Sequence, residues 1–375
     1  MRFESIAVVG IGLVGGSFAL ASRKAAPDVH LYGIDVDENV LHKALADGVV
    51  DEVASPVEAV EKGWLGADGA DLIVLATPAS VAEEWVQRLG DADYRGTVTD
   101  VASTKAKITQ AAEEALGPDA AFVGGHPMAG SEQSGIEAAR ADLFDGAYYV
   151  LTPTPETDMD AYRRVHSYIA SMGARVISVD AAGHDEAVAI ISHVPHVTAS
   201  ALVELAKSHA GEGDELLRLA AGGFKDTTRI AAGSAELWTG ICLDNADALV
   251  DGLEELQSVL DGFASAVKSG DVQGVRDWLA HAAEVRRSLP AQWVPATEAL
   301  SELLIPVIDR PGVISEVTTA VGRAGCNIEA IEIDHVSEAT AVLVLVLTDE
   351  GDVTKLLEDL ESVGYEPRLR PLEDV

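Results

Sequence analysis

An α/β domain built on a parallel sheet, then an all-helical domain and a compact βαββαβ unit, is the architecture this 375-residue sequence predicts. Three observations carry it. Short apolar runs alternate with amphipathic helical stretches up to about residue 180. Strand signal then stops, and from Gly183 to Leu289 apolar residues recur at three- and four-residue intervals. From Ser301 strands and helices return in a different order. The expected domains are residues 1–180, 181–290 and 301–375, and a chain of this length can give each its own core.

The first domain opens with "IAVV" at 6–9, a short run suited to a strand buried on both faces. A helical pattern follows to about Ala25. "HLYGI" is a second strand ending at Asp35, and Glu38–Ala46 a helix. "DLIVLATP" at 71–78 is a strand closed by Pro78, and "VAEEWVQRL" an amphipathic helix. "GTVTDV" at 96–101, a helix from Lys105 to Leu116 and the strand "AAFVGG" continue the alternation. "AYYVLTP" and "RVISV" add two strands around a helix near 159–172. In the second domain "ADALVDGLEELQSVLDGFASAV" shows the helical period most clearly, and Pro290 and Pro295 bracket the connector. In the third, "ELLIPVID", "NIEAIEIDHV", "TAVLVLVLT" and "EPRLR" are strands and two helices lie between them, the order of a ferredoxin-like unit.

Charge narrows the partners. There are 26 Lys and Arg against 62 Asp and Glu, a formal net charge of −36. Such a field repels phosphate backbones and anionic lipid, so neither nucleic acid nor a membrane surface is expected as a partner. It also means that an anionic substrate needs locally placed cations. Cys242 and Cys326 are the only cysteines, far apart and in no metal-ligand spacing; no disulfide framework and no metal are expected. The N-terminal run has a signal-like outline, but Glu4 precedes it and glycines interrupt it. No other segment approaches the roughly 18 consecutive apolar residues of a membrane span. The chain reads as cytoplasmic.

Gly10, Gly12 and Gly15 form a Gly-x-Gly-x-x-Gly directly after the first strand and at the start of a helix. Asp35 stands twenty positions beyond Gly15 at the end of the second strand. In that context the motif has a mechanism, and the domain reads as Rossmann-type. Gly10 permits the tight turn, Gly12 lets a pyrophosphate approach the backbone, and Gly15 lets helix and strand pack closely. The phosphates meet the free N–H groups of the helix. Asp35 accepts the adenosine ribose hydroxyls and repels a 2′-phosphate, which favours NAD over NADP. Leu13, Val14, Thr77 and Pro78 fall around the same turn and complete the expected cofactor contacts.

Ligands gather at the carboxyl ends of parallel strands, and two polar clusters fall there: "DVASTK" from Asp100 and "GGHPMAGSE" from Gly124. "ISHVPH" puts His193 and His196 on one helix face. "GGFKDTTRIA" carries Asp226 and Arg229, with Trp238 a few turns on. With "GxGLVGGS" these segments occur in the order found in the prephenate/arogenate dehydrogenase family, and the chain resembles the form with a C-terminal ACT domain over nearly all its length. The resemblance implies an NAD-dependent oxidation of prephenate. His126 resembles the catalytic imidazole, with a near-neutral pKa. Ser103 resembles the hydroxyl that touches the nicotinamide region and orients His126. Arg229 resembles the fork that grips a substrate carboxylate. His196 and Ser131 resemble further substrate contacts, and Glu132 and Asp226 acids at the pocket mouth. Trp238 is read as core and pocket wall, His193 as a structural histidine, and Lys105 as a local cap or pair.

"VIDRPGVISEV" resembles the ligand turn of ACT domains. The resemblance places an amino acid, tyrosine, at Asp309, Pro311, Gly312 and Val313, with Asn327 and Ile328 on the facing strand. The unit could equally serve only to join two chains, and the long apolar helical faces point to a homodimer. The alternatives for function are an arogenate dehydrogenase, a 3-hydroxyacid dehydrogenase and a non-catalytic sensor of NAD and amino acids.

Overall fold

The computed structural model describes residues 3–117, 120–130, 135–209, 219–288, 301–308, 310, 312–326, 328–335, 340–347 and 351–371. The chain forms two compact units, Met1–Val259 and Leu260–Val375.

The first unit is built on an eight-stranded sheet: β1 (Ser5–Val9), β2 (His30–Ile34), β3 (Glu52–Ala54), β4 (Leu72–Leu75), β5 (Thr97–Asp100), β6 (Ala121–Pro127), β7 (Tyr148–Thr152) and β8 (Arg175–Ser178). Their spatial order is β3-β2-β1-β4-β5-β6-β7-β8. The crossover helices are α1 (Leu13–Ala25), α2 (Glu38–Ala46), α3 (Pro56–Glu61), α4 (Ala79–Asp91), α5 (Ala106–Ala115) and α6 (Met159–Ser171). Successive residues of one strand serve opposite faces. Ile6 and Val8 of β1 join one core with Phe18, Tyr149 and Tyr168, whereas Ala7 and Val9 join the other with Trp64, Trp85 and Leu89. Burial on both faces explains why these strands read as unbroken apolar runs.

Two details differ from the sequence expectation. β3 and α3 escaped it, because a three-residue strand carries almost no periodicity. From β3 to β6 the strands are parallel, but β7 pairs antiparallel with β6. Among the described residues the β6–β7 connection holds only a 3-10 turn, Ile136–Ala138. Without a crossover helix the chain returns in the opposite direction.

The helical part begins with α7 (Ala181–Val188), a π-helical turn (Ala189–His193) and α8 (Val194–Ser208). Together they make a 28-residue helix, long and apolar enough by length and composition to cross a membrane. Polar residues interrupt its apolar run, so no unbroken apolar segment marks it in the sequence. His184, Asp185, His193 and His196 among them are buried within the fold. Then follow α9 (Gly222–Thr228), a 3-10 turn (Arg229–Ala232), α10 (Ala235–Asp244) and α11 (Ala246–Ser269).

In the second unit Phe263 of α11 packs against Trp278 of α12 (Val272–Ser288), ring centroids 4.7 Å apart. β9 (Ser301–Ile308), β10 (Ile328–His335), β11 (Thr340–Leu347) and β12 (Arg368–Pro371) form an antiparallel sheet in the order β10-β11-β9-β12. The helices α13 (Val313–Arg323) and α14 (Val353–Ser362) complete the expected βαββαβ order. Leu303, Ile305 and Val307 alternate inward and meet Val317, Val321, Leu356 and Leu360. Gly312 opens α13 at a φ of +93°. Arg310 forks onto Glu316 at 3.0 and 2.7 Å, and Tyr365 donates to the same carboxylate. Val313 is buried and Ile328 half-buried; Asp309, Pro311 and Asn327 lie outside the described residues.

Candidate active site

The carboxyl ends of β1, β4, β5 and β6 share one edge of the parallel sheet, where ligands gather in folds of this kind. After β1 the chain turns at Gly10, whose φ of +89° glycine alone takes without strain. A Cβ there would sit 2.6 Å from the Ala76 carbonyl oxygen, and one at Gly15 would run into the Gly10 carbonyl. At Gly12 a Cβ would meet open space, the side from which a ligand can reach the backbone. Leu13 and Val14 begin α1, whose N-terminus has no side-chain cap. Asp35 braces the turn: its carboxylate accepts the N–H of Ile11 at 2.8 Å and of Asp37 at 3.0 Å. A cleft of about 340 Å³ lies here, lined by Gly10, Gly12, Asp35, Thr77, Pro78 and Trp85 among others. Cradle, uncapped helix and acid fit the pyrophosphate and ribose of a dinucleotide. Gly10→Ala is expected to lower stability by about 1–3 kcal/mol and to weaken nucleotide binding, as urea unfolding and a binding titration will read.

β6 carries His126, and its grip on β5 changes partway along. Backbone pairing ends at Thr99 opposite Val123. Beyond it, Asp100 Oδ1 accepts the Gly125 N–H at 2.9 Å, and Lys105 Nζ donates to the Gly125 carbonyl at 2.8 Å. Lys105 and Asp100 also pair directly, both side chains fully buried. Burial pulls the Lys105 pKa down while Asp100 opposes the shift. Gly125, the residue before the imidazole, is thus held at both of its backbone polar groups. That is how a flexible Gly-Gly segment presents a fixed ring.

His126 Nδ1 lies 2.8 Å from His184 Nε2, the two rings at 78°. His184 Nδ1 lies 2.8 Å from Asp185 Oδ1. Asp185 also accepts the backbone N–H groups of Lys105 at 2.8 Å and Ala106 at 2.9 Å, and so caps α5, which has no cap of its own. Burial alone would raise the Asp185 pKa, but the His184 bond and these two N–H groups hold it below the ordinary carboxylate value. Asn245 Nδ2 donates to the Asp185 carbonyl at 2.7 Å and lies 3.3 Å from His193 Nδ1. His193 meets the Trp238 ring edge-on at 6.0 Å, and His196 stacks on it at 3.5 Å. The π turn precedes Pro195, which has no N–H to close an α-helical bond. His193 and His196 both end inside, 1% and 7% exposed.

A bonded and stacked chain therefore joins His126 to His193, Trp238 and His196. Arg229 is exposed, on the 3-10 turn that packs against α8, the helix of His196. Asp226 is exposed on α9. Ser103 is half-buried in the β5–α5 loop, beside Thr104, whose hydroxyl donates to Asp244 at 3.1 Å. Among the described residues no hydrogen bond joins Ser103 to His126; His184 orients the ring instead. Ser131 and Glu132 lie outside the described residues. His184, Asp185 and Asn245 escaped the sequence reading. The one signal for the first two is the polar run His184-Asp185-Glu186 set between apolar stretches of the helix.

The near-neutral His126 expected from sequence is not what the site creates. Burial pushes its pKa well below 6.5, with the Lys105 ammonium next and positive charge on His184 or His193 after it. The imidazole stays neutral, and able to accept a proton, as pH falls through 6.5. Stability runs the other way. An unfolded histidine takes up its proton at about 6.5 and the folded one does not, so unfolding free energy falls below that pH. His193, pushed down to about 4, extends the loss to that value. A kcat/KM profile flat through 6.5 while the melting temperature already declines is the expected pairing.

A Rossmann-type sheet with a glycine cradle and a buried imidazole on its carboxyl edge defines a nucleotide-binding domain of the dehydrogenase kind. Residues 18–178 match the nucleotide-binding domain of prephenate dehydrogenase, residues 180–281 its dimerization domain, and residues 301–365 the ACT domain. The chain is 34% identical over 359 residues to prephenate dehydrogenase of Bacillus subtilis, covering 95% of each. It belongs to the prephenate dehydrogenase family. The crystal structure of Aquifex aeolicus prephenate dehydrogenase, in complex with hydroxyphenyl propionate and NAD+, matches with a TM-score of 0.73 at 29% identity, over 77% of this chain and 99% of that one. Synechocystis arogenate dehydrogenase matches with a TM-score of 0.65 at 31% identity, over 76% and 99%. The 3-hydroxyacid alternative falls with the family membership.

Proposed function

We propose that this protein oxidises prephenate with NAD, releasing carbon dioxide and 4-hydroxyphenylpyruvate, a step toward tyrosine. The observation that carries the reading is the buried, neutral His126, fixed through Gly125 and His184 on the sheet edge that also bears the glycine cradle. NAD held at Gly10, Gly12, Leu13, Val14, Gly15 and Asp35, with Thr77, Pro78 and Ser103 alongside, supplies the hydride acceptor. His126 takes the proton of the ring hydroxyl as the hydride leaves the same carbon. The resulting dienone expels the ring carboxylate as carbon dioxide and becomes aromatic. Arg229 and His196 bind the carboxylates, Ser131 the pyruvyl end, Glu132 and Asp226 pair with cations at the pocket mouth, and Trp238 walls the pocket.

Arogenate is the second reading, favoured by the likeness to the Synechocystis enzyme. Appearance of reduced nicotinamide with prephenate and arogenate, assayed separately, decides between them; faster turnover is expected on prephenate. Activity on neither removes the assignment. We assign nucleotide binding to residues 1–180, substrate binding and pairing of two chains to 181–290, and regulation to 301–375, within a cytoplasmic homodimer. Tyrosine binding at Asp309, Pro311, Gly312, Val313, Asn327 and Ile328 would inhibit turnover. Inhibition that survives in the full chain with Gly312→Asp would remove that site.

A further inference from the structure

We propose that His184 and Asp185 are positioning residues that fix which nitrogen of His126 carries its proton, leaving Nε2 as the proton acceptor. The assignment follows from counting donors along the chain. Asp185 receives two backbone N–H groups, Lys105 on Oδ1 and Ala106 on Oδ2. A carboxylate so occupied is an acceptor, and it has no proton to give to the His184 ring. The 2.8 Å contact between Asp185 Oδ1 and His184 Nδ1 is therefore an N–H of His184 donating to the carboxylate. Neutral His184 then has its lone pair on Nε2. That lone pair faces His126 Nδ1 at 2.8 Å, so Nδ1 carries the proton and donates. The remaining nitrogen of His126, Nε2, is left with the lone pair. The opposite ordering would place the lone pair of His184 Nδ1 against the oxygens of a buried anion.

The same chain serves the charge that appears during turnover. When Nε2 takes a proton, the imidazolium keeps its Nδ1–H on a neutral acceptor. Behind that acceptor stands the Asp185 carboxylate, whose negative charge offsets that of the Lys105 ammonium held on the Gly125 carbonyl. Asn245, whose Nδ2 also lies against His193 Nδ1, holds the Asp185 backbone carbonyl from the helical side. Because Asp185 also caps α5, the loop bearing Ser103 and the tautomer of His126 are set by one side chain. None of this is visible to a search for motifs near His126, since the anchors sit about sixty residues downstream.

The inference rests on the proposed reaction only for its kinetic arm. In that arm the full-length His184→Phe variant, which removes the acceptor, is expected to lose about a hundredfold in kcat with KM for prephenate and NAD within about threefold. His184→Gln, whose side-chain oxygen can accept from Nδ1–H, is expected to recover at least about a tenth of the wild-type rate. In the second arm, nitrogen-15 spectra of wild-type protein, with the His126 signals assigned by comparison with His126→Asn, report the tautomer without any substrate. Nδ1 protonated in the wild type, and a mixture of tautomers in Asp185→Asn, is the expected result. A His184→Phe rate within about threefold of wild type, a glutamine variant no better than phenylalanine, or a wild-type His126 protonated at Nε2 would each overturn the inference. If His184→Phe does not fold, the glutamine variant and the spectra decide. Wild-type protein inactive on both substrates but showing the Nδ1 tautomer would sink the reaction and leave the positioning intact.

Discussion

Replacing His126 with Asn is expected to lower kcat by about a thousandfold and to change KM for prephenate by about threefold or less. Asparagine suits this test because its amide nitrogen stands close to where Nδ1 stood. It can still donate to His184 Nε2, so the chain through Asp185 keeps its partner. What disappears is the acceptor at Nε2, together with the group that bears positive charge while the hydroxyl proton leaves. Loss of a general base of this kind shows in turnover, whereas the substrate carboxylates are bound by other groups and the affinity survives. Steady-state kinetics beside a melting curve separate the two. A variant that keeps within about tenfold of the wild-type rate would move the base elsewhere in the site.

The sheet was legible because its strands are buried on both faces and read as apolar runs, as with "IAVV" and β1. The glycine turn was legible because each glycine has a separate steric duty that no other residue performs, as Gly10 and Gly15 show. His126 could be found for a related reason: the end of a parallel strand is where ligands collect. The antiparallel return of β7 was not legible, since direction depends on what the connecting segment does and not on the strand's own residues. His184, Asp185 and Asn245 were hidden more deeply. Asp185 caps a helix whose N-cap residue, Lys105, lies eighty residues earlier in the chain, and nothing local marks such a partner. The lowered pKa of His126 was also out of reach, because it comes from burial and from Lys105, which sequence reading treated as a local pair. Motifs reveal the groups that act, while the groups that hold them are scattered and emerge only with the fold.

The largest effect on stability is expected from Lys105→Met, which should cost about 3–5 kcal/mol in the unfolding free energy. The lysine is 0% exposed and its ammonium has two partners, the Asp100 carboxylate and the Gly125 carbonyl. Methionine fills much of the volume, so packing is nearly kept and the change isolates the charge. Asp100 would then remain buried with only the N–H groups of Gly125 and Ala102 to hold a negative charge. Without the ammonium the charged carboxylate loses its counter-ion, and the sign of that effect against pH gives a second check. A raised folded pKa stabilises below the unfolded value and loses that contribution as pH climbs through the folded one. The deficit of the variant against wild type should therefore be smaller at about pH 5 than at about pH 8. Losing the Lys105 charge also relieves part of the depression at His126, so the histidine loss is smaller in the variant and acts in the same direction. Adding Asp100→Asn should recover part of the stability, because the amide oxygen can still accept one backbone N–H while carrying no charge. Turnover should fall in both variants, since the peptide before His126 loses its carbonyl anchor. Urea unfolding at the two pH values, with unchanged slopes, checks the energies; a deficit that grows on acidification would mean that Asp100 is not the group left stranded.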